Sequence, residues 1–564
     1  MKKFLRIVLI LIGSFTWVVT MFKSGLNYSF GIGFWGANGH DGIWHLALIE
    51  SLKKGSLVMP IFAGEMVRNY HIGFDLLIAL LGKITNLSSS LFYFQIIPVI
   101  FSLLIGFLTY KFVYRWTQSK IKSLISTFFV YFGGSFGWMV ELIRSGRFDA
   151  ESMFWSQQSI STLINPPFAM SLIFILLGLI SLQNYLKKNN VISLLLSIIS
   201  FGLLIQMKSY SSVLCLGALF VTGIYVYIKN KDLKIFKIFI LSFILSLIVF
   251  LPLNKGASSV FVFKPFWFLE TMMGSLDRFN WMKFYSAMLS YRSGGAIIKA
   301  TIFYLIAFGI FILGNFGTRI VSFFQLIKLV KNPKKLDWIY VFLTTIIFAG
   351  IIIPQFIVQS GTSWNTIQFF YYSLFSAAIL SGIWLGDFLE KDGKLRKIIF
   401  ILIIALTIPT SLSSLYNIYL PQNPPSFISK AEENALEFLS KQPEGIVFTF
   451  PFDRVKANEA RKDIPRPLYL YESTAYVSAY SRKQVFLEDE INLDITGFDW
   501  KDRKEDILSF YESQDHEYVK NYLRENNITY IYWIKGQRAT LGESQLEITQ
   551  IFENEEVQIY KTNL

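Results

Sequence analysis

The sequence predicts a polytopic α-helical membrane protein with about eleven spanning helices, a re-entrant or interfacial helix, and a C-terminal soluble α/β domain. Three observations carry this. Apolar runs long enough to cross a bilayer recur through the first three quarters of the 564 residues, and 53 % of the chain is hydrophobic. Only 16 % is charged, against about 25 % in a soluble domain. Lysine and arginine, finally, fall in every second loop.

The runs lie near 4–22, 91–114, 121–142, 166–186, 191–207, 211–228, 234–252, 299–323, 338–357, 366–387 and 396–417. The first follows Met1-Lys2-Lys3 and lacks a small-residue cleavage site, so it reads as an uncleaved span. Placing the N-terminus in the cytoplasm makes alternate loops cytoplasmic, and those loops hold the basic residues. They carry Lys111, Arg115, Lys120 and Lys122; Lys187 and Lys188; Lys229, Lys231, Lys234 and Lys237. Lys328, Lys331, Lys334 and Lys335 follow, then Lys391, Lys394, Arg396 and Lys397. An odd number of spans sets 420–564 on the extracytoplasmic side. The stretch 72–85 is too short to span and reads as the re-entrant or interfacial helix. Loop 253–298 interleaves aromatic residues such as Phe261, Trp267 and Trp281 with basic ones, which suits helices in the headgroup layer.

The net charge of +14 hides two opposite halves. Residues 1–419 hold 36 Lys+Arg and 14 Asp+Glu, and 420–564 the remaining 17 and 25. The positive charge orients the chain in the bilayer, and nucleic acid is not an expected partner. The lone Cys215 rules out an intrachain disulfide. The expected organisation is a transmembrane domain over 1–419, with its first external loop at 23–90, and an extracytoplasmic domain over 420–564. In the latter, 427–440 and 501–526 read as helical, and 445–450, 528–534 and 557–560 as strands.

The first external loop concentrates the chemistry. It holds three of the four histidines, His40, His45 and His71, together with Asp41. A helix beginning at Asp41 puts Asp41 and His45 on one face, a turn apart. Two readings stay open: a carboxylate general base oriented by His45, or a helix-capping Asp beside a headgroup-level histidine. A metal held by His40, His45 and Asp41 has poor spacing for structural zinc. Glycines 31, 33, 36, 39 and 42 follow no strand and read as a flexible loop rather than a phosphate cradle. Asp149 and Glu151 in the second external loop offer two carboxylates to a divalent cation, or form a solvated acidic patch. Lys208, between two short apolar runs, faces a polar cavity or snorkels out.

The run His40-Asp41-Gly42-Ile43-Trp44-His45, then Asn69-Tyr70-His71-Ile72-Gly73-Phe74-Asp75, resembles the start of GT-C membrane glycosyltransferases. The likeness is nearest to the bacterial protein-mannosyltransferase-like and lipopolysaccharide sugar-transferase-like branches. The tail, with "TFPFDR" and "YVSAYSRKQVFLEDE", resembles the external domain of bacterial relatives. Two positions depart from the family pattern: Gly42, where many relatives carry a second acidic residue, and Gln368, where they often show arginine.

The resemblance implies a polyprenyl-phosphate sugar donor and a lipid, glycan or protein acceptor. Asp41 stands at the position of the base that deprotonates the acceptor, with His45 beside it. Arg68, Tyr70, His71, Lys208 and Lys264 are the expected substrate-binding residues, the cations serving the leaving phosphate. No cofactor is required, and a divalent cation would fall to Asp149 and Glu151. That last case defines an oligosaccharyltransferase-like alternative. A non-enzymatic transporter or envelope assembly protein is the other.

Overall fold

The computed structural model describes residues 2–148, 152–156, 158–254, 261–391, 393–538 and 548–563. The chain divides into two compact units. One comprises Met1–Thr20, Pro98–Pro252 and Phe261–Leu420; the other comprises Met21–Ile97, Leu253–Val260 and Pro421–Leu564. The first loop and the tail therefore share a unit.

The first unit is the membrane unit. Among the described residues nine helices are long and apolar enough to cross a bilayer, or ten if a bent pair counts as one span. That pair, Lys120–Phe132 and Gly137–Ser145, bends by 50°. The break falls at Gly133, where a Cβ would come within 2.5 Å of the Phe129 carbonyl. The eleventh expected span, 191–207, is a shorter apolar helix, Val191–Met207. It stops because Lys208 takes an extended conformation and breaks the helical ladder.

The spans Pro166–Lys188 and Ser363–Leu389 have 89 % of their apolar windows buried and form the core. Lipid-like surroundings give no hydrophobic drive between helices, so close packing and interhelical hydrogen bonds hold them. A Cβ at Gly382 would lie 2.2 Å from the Ser126 nitrogen, which marks how closely two helices approach. Ser171 Oγ and the Tyr372 hydroxyl meet at 2.7 Å, and Ser126 Oγ donates to the Ile379 carbonyl at 2.9 Å.

The second unit is built on strands from distant parts of the chain. One sheet runs in the order Asn27–Tyr28, Gly31–Phe34, Ser426–Ser429, Arg466–Pro467. Of the glycine-rich stretch, Gly31 and Gly33 thus lie in a strand, Gly36 and Gly39 in a short 3-10 turn and Gly42 in the helix that follows, rather than in a flexible loop. Gly31, at φ +118°, lets the strands close up: a Cβ there would sit 2.1 Å from the Ile428 carbonyl. The other sheet has the order Ile446–Thr449, Ile528–Ile534, Val557–Thr562, Ile548–Glu553. Its first pairing is parallel and the rest antiparallel. The helix expected over 427–440 starts later, at Lys430, capped by Ser429 Oγ. The 501–526 region is two helices, Lys501–Glu512 and His516–Glu525.

First loop and tail are stitched by backbone as well. Ala63 donates to Val485 at 3.0 Å, Val485 to Pro60 at 2.8 Å and Glu488 to Ile61 at 3.0 Å. Arg503 lies 3.5 Å above the Phe62 ring and donates to the carbonyls of Ala63 and Phe486. These contacts fix residues 485–490 against the loop that carries Asp41.

Candidate functional site

The helix Asp41–Lys53 begins at Asp41, with His40 as its N-cap. Asp41 is exposed while Gly42 to Glu50 are all buried. The carboxylate occupies the first turn, where the positive end of the helix favours it. A side chain at Gly42 would meet Phe94 at 2.8 Å and Tyr93 at 3.3 Å. A larger residue after Asp41 would have to displace the Phe94 ring.

His45 is engaged by Asp75 rather than by Asp41. Its Nδ1 lies 2.7 Å from Asp75 Oδ1, with both side chains buried. Asp75 sits in the first turn of the helix Gly73–Thr85, the segment read from sequence as interfacial. Aromatic rings enclose the imidazole: Tyr93 stacks at 5.7 Å, Phe74 meets it edge-on at 5.9 Å, and Tyr70 lies at 6.2 Å. Tyr70 in turn stacks on His71 at 4.5 Å and contacts Trp44 at 5.5 Å. Of the expected site residues, His45, Tyr70 and His71 thus form one cluster, with Asp75 as the member sequence reasoning missed.

Arg68 turns to the tail. Its guanidinium stacks on Phe498 at 4.0 Å and donates to the Gly497 carbonyl at 3.3 Å. His40 likewise donates from Nδ1 to the Ser473 carbonyl at 2.7 Å and packs on Tyr471.

The tail brings acids near Asp41. Burial pushes the Asp489 carboxyl up to about 7 against its hydrogen bonds from Asn492, and the charges of Asp41 and Glu490 push the same way. Asp489 caps the helix Glu490–Thr496. Burial holds Glu488 up at about 8, although the N–H groups of Val477 and Ser478 donate to it at 2.8 and 3.1 Å. Both acids line a small cavity of about 50 Å³ with Tyr471, Thr474 and Tyr532, room for a water or two. A larger cavity of about 490 Å³ is lined by Glu50, Lys54, Glu444, Arg482 and Lys483, among others. It has the size and polarity to take a saccharide.

In the membrane unit, Lys208 is buried and donates to Asn165 Oδ1 at 3.4 Å. Nearby Tyr210 donates to Gln359 Oε1 at 3.0 Å. Gln359 ends the strand Ile357–Gln359, which pairs with Phe261–Phe263, and exposed Lys264 follows that partner. Lys264 therefore follows a strand whose partner is tied to Tyr210, the ring over which Lys208 lies at 5.9 Å.

Arg319 was not legible as a site residue. It is fully buried and donates to the carbonyls of Asn315 and Phe316 at 3.0 and 3.2 Å and to Gln158 Oε1 at 3.2 Å. Gly317, at φ +54°, has just ended the helix Ile297–Phe316, so the guanidinium takes up carbonyls the helix leaves open. Asp149 and Glu151 lie outside the described residues. Among the described residues no group of three or more His, Cys, Asp or Glu could hold a metal ion.

No family model matches the chain, and no curated protein sequence is similar to it. Solved structures are. The archaeal oligosaccharyltransferase AglB from Archaeoglobus fulgidus, in complex with an inhibitory peptide and a dolichol-phosphate, aligns with a TM-score of 0.53. The identity is 12 %, covering 94 % of this chain and 70 % of that one. The arabinofuranosyltransferase AftD from Mycobacteria aligns with a TM-score of 0.53 at 10 % identity, covering 100 % of this chain and 40 % of that one. Likeness at such identities is likeness of fold. The polytopic helices and the strand-built tail are thus arranged in the fold that these two solved transferases share.

Proposed function

We propose that this protein transfers a sugar from a polyprenyl-phosphate donor to an acceptor hydroxyl on the extracytoplasmic side, with Asp41 as general base. The observation that carries the reading is the exposed carboxylate of Asp41 at the start of a buried helix, beside the His45–Asp75 pair. The dolichol-phosphate in the AglB complex supports a lipid-phosphate donor.

In the proposed step Asp41 accepts the proton of the acceptor hydroxyl as its oxygen attacks the anomeric carbon. The bond from that carbon to the phosphate oxygen breaks, its electron pair leaves with the lipid phosphate, and the sugar inverts. A positioned base of this kind contributes about 10²–10⁴-fold. Lys208 and Lys264 are the proposed partners of the leaving phosphate. Arg68, held on Phe498 and Gly497, is proposed to shape the site rather than to bind phosphate.

A metal-dependent, oligosaccharyltransferase-like reaction is the second reading, favoured by the AglB likeness. It would use Asp149 and Glu151. The test offers purified full-length protein a radiolabelled sugar on polyprenyl phosphate, on polyprenyl diphosphate, or on a nucleotide, each with and without chelator. Transfer from the monophosphate that survives chelation supports the first reading. Transfer only from the diphosphate, lost on chelation, replaces it with the second.

A further inference from the structure

The membrane unit contains a groove built from its own residues. Its volume is about 510 Å³, within the range of ligand pockets. The helix Ile297–Phe316 supplies one wall with Ile297, Thr301, Leu305 and Phe308; the end of Trp338–Phe356 supplies another with Ile352, Gln355 and Phe356. The first helix starts and the second ends at this level, so the groove opens at one surface of the bilayer. The span beginning at Ile297 has only 22 % of its apolar window buried, so that face meets lipid.

Two polar features sit in this apolar lining. Gln355 is 4 % exposed, and among the described residues neither its Oε1 nor its Nε2 has a hydrogen-bond partner. Its backbone is anchored, since Phe266 donates to the Gln355 carbonyl at 2.6 Å. An anchored, buried, unpaired carboxamide costs stability unless a ligand satisfies it. At the groove's mouth Arg292 pairs with Glu270, and the Tyr304 hydroxyl joins both. The arginine's charge is thus already neutralised, and Glu270 stands against an incoming anion.

We propose that this groove binds an uncharged glycerolipid, its chain along Ile297, Leu305 and Ile352 and its hydroxyl or ester group on the Gln355 carboxamide. A carboxamide donates and accepts, which matches a hydroxyl or ester. A phosphate monoester would need the cation that Glu270 already occupies. The assignment is independent of the sugar-transfer reading.

The test places full-length protein in phosphatidylcholine nanodiscs with trace photoreactive diacylglycerol, or phosphatidate bearing the same diazirine chain, and maps adducts by mass spectrometry. Diacylglycerol should label peptides around 297–308 and 352–356 about five-fold more than phosphatidate, because Glu270 stands against the phosphate. Thr301→Trp, on an exposed helix face, should fill the groove and abolish that labelling. Should Thr301→Trp not fold, Ile352→Trp fills the groove from the other wall. Gln355→Leu should lower diacylglycerol labelling about five-fold, the worth of one net hydrogen bond, and raise the thermal midpoint of the lipid-free protein. Equal or stronger labelling by phosphatidate overturns the proposal, as does unchanged diacylglycerol labelling in the groove-filling variant or in Gln355→Leu.

Discussion

His45 Nδ1 and Asp75 Oδ1 meet at 2.7 Å across 30 residues of sequence, both side chains buried. A carboxylate only accepts, so His45 Nδ1 is the donor of the pair. The pair also ties two helices of the loop-and-tail unit together. Asp75→Leu leaves a buried N–H unpaired and should cost about 1–3 kcal/mol in thermal unfolding. Asp75→Asn keeps an acceptor and should cost less. If the pair positions His45 for the reaction, Asp75→Asn should also shift the pH profile of transfer in protein that folds normally. A profile superimposable on wild type would leave the pair a structural clamp only.

The acids of the tail predict how stability depends on pH. Burial holds Glu488 at about 8 and both Asp489 and Glu432 at about 7, above the ordinary carboxylate range. Between those ordinary values and the raised ones, the folded chain keeps protons that the unfolded chain has released. Stability from these groups is therefore greatest in acid and falls as pH rises through 7 to 8, by at most about 1.4 kcal/mol per pH unit for each group. Tryptophan-monitored unfolding from pH 5.5 to 8.5 should show that fall, and Glu488→Gln should flatten it. A Glu488→Gln slope equal to wild type removes Glu488 from the account.

Arg319 is predicted to be a structural cation. It donates to two carbonyls at the end of the helix Ile297–Phe316 and to Gln158. Arg319→Leu leaves those acceptors unpaired in a buried core and should destabilise the protein by about 1–3 kcal/mol or more. Arg319→Lys keeps the charge but loses the planar fork, and should fall between. Detergent-solubilised thermal midpoints order the three. Transfer per folded molecule should stay near wild type; a loss of activity without a loss of stability would make Arg319 functional instead.

Run length made the spans legible, because crossing a bilayer leaves little freedom in composition. The same averaging hid Arg319, since one cation inside a long apolar run barely lowers its hydropathy. The run 191–207 is an apolar helix with those same bounds, Val191–Met207, shorter than the other spans and ended at Lys208. The His45–Asp75 pair was illegible for another reason: local periodicity offers His45 a neighbour at Asp41, and nothing local announces one thirty residues on. The strand Gly31–Phe34 was likewise hidden, because its partner Ser426–Ser429 lies almost four hundred residues away. What local pattern did locate was Asp41, at the start of its helix.

Asp41→Asn gives the sharpest separation of roles. Asp41 is exposed in the first turn of Asp41–Lys53, so the substitution disturbs no buried packing. Asparagine serves a helix start about as well as aspartate, so a capping role predicts little change in stability or turnover. A base must accept a proton, and the amide cannot at neutral pH. The catalytic role therefore predicts folded, membrane-inserted protein whose transfer rate falls by about 10²-fold or more, with donor binding kept. Asp41→Glu keeps the carboxylate on a longer arm and should retain part of the activity. Asp489→Asn, which removes a neighbouring acid but no base, should alter turnover less than Asp41→Asn does. The assay follows a radiolabelled sugar from polyprenyl phosphate to acceptor under single-turnover conditions, alongside donor binding by filtration. Near wild-type turnover in Asp41→Asn would remove Asp41 from the mechanism and leave the His45 imidazole, with Nδ1 held by Asp75, as the base to test next.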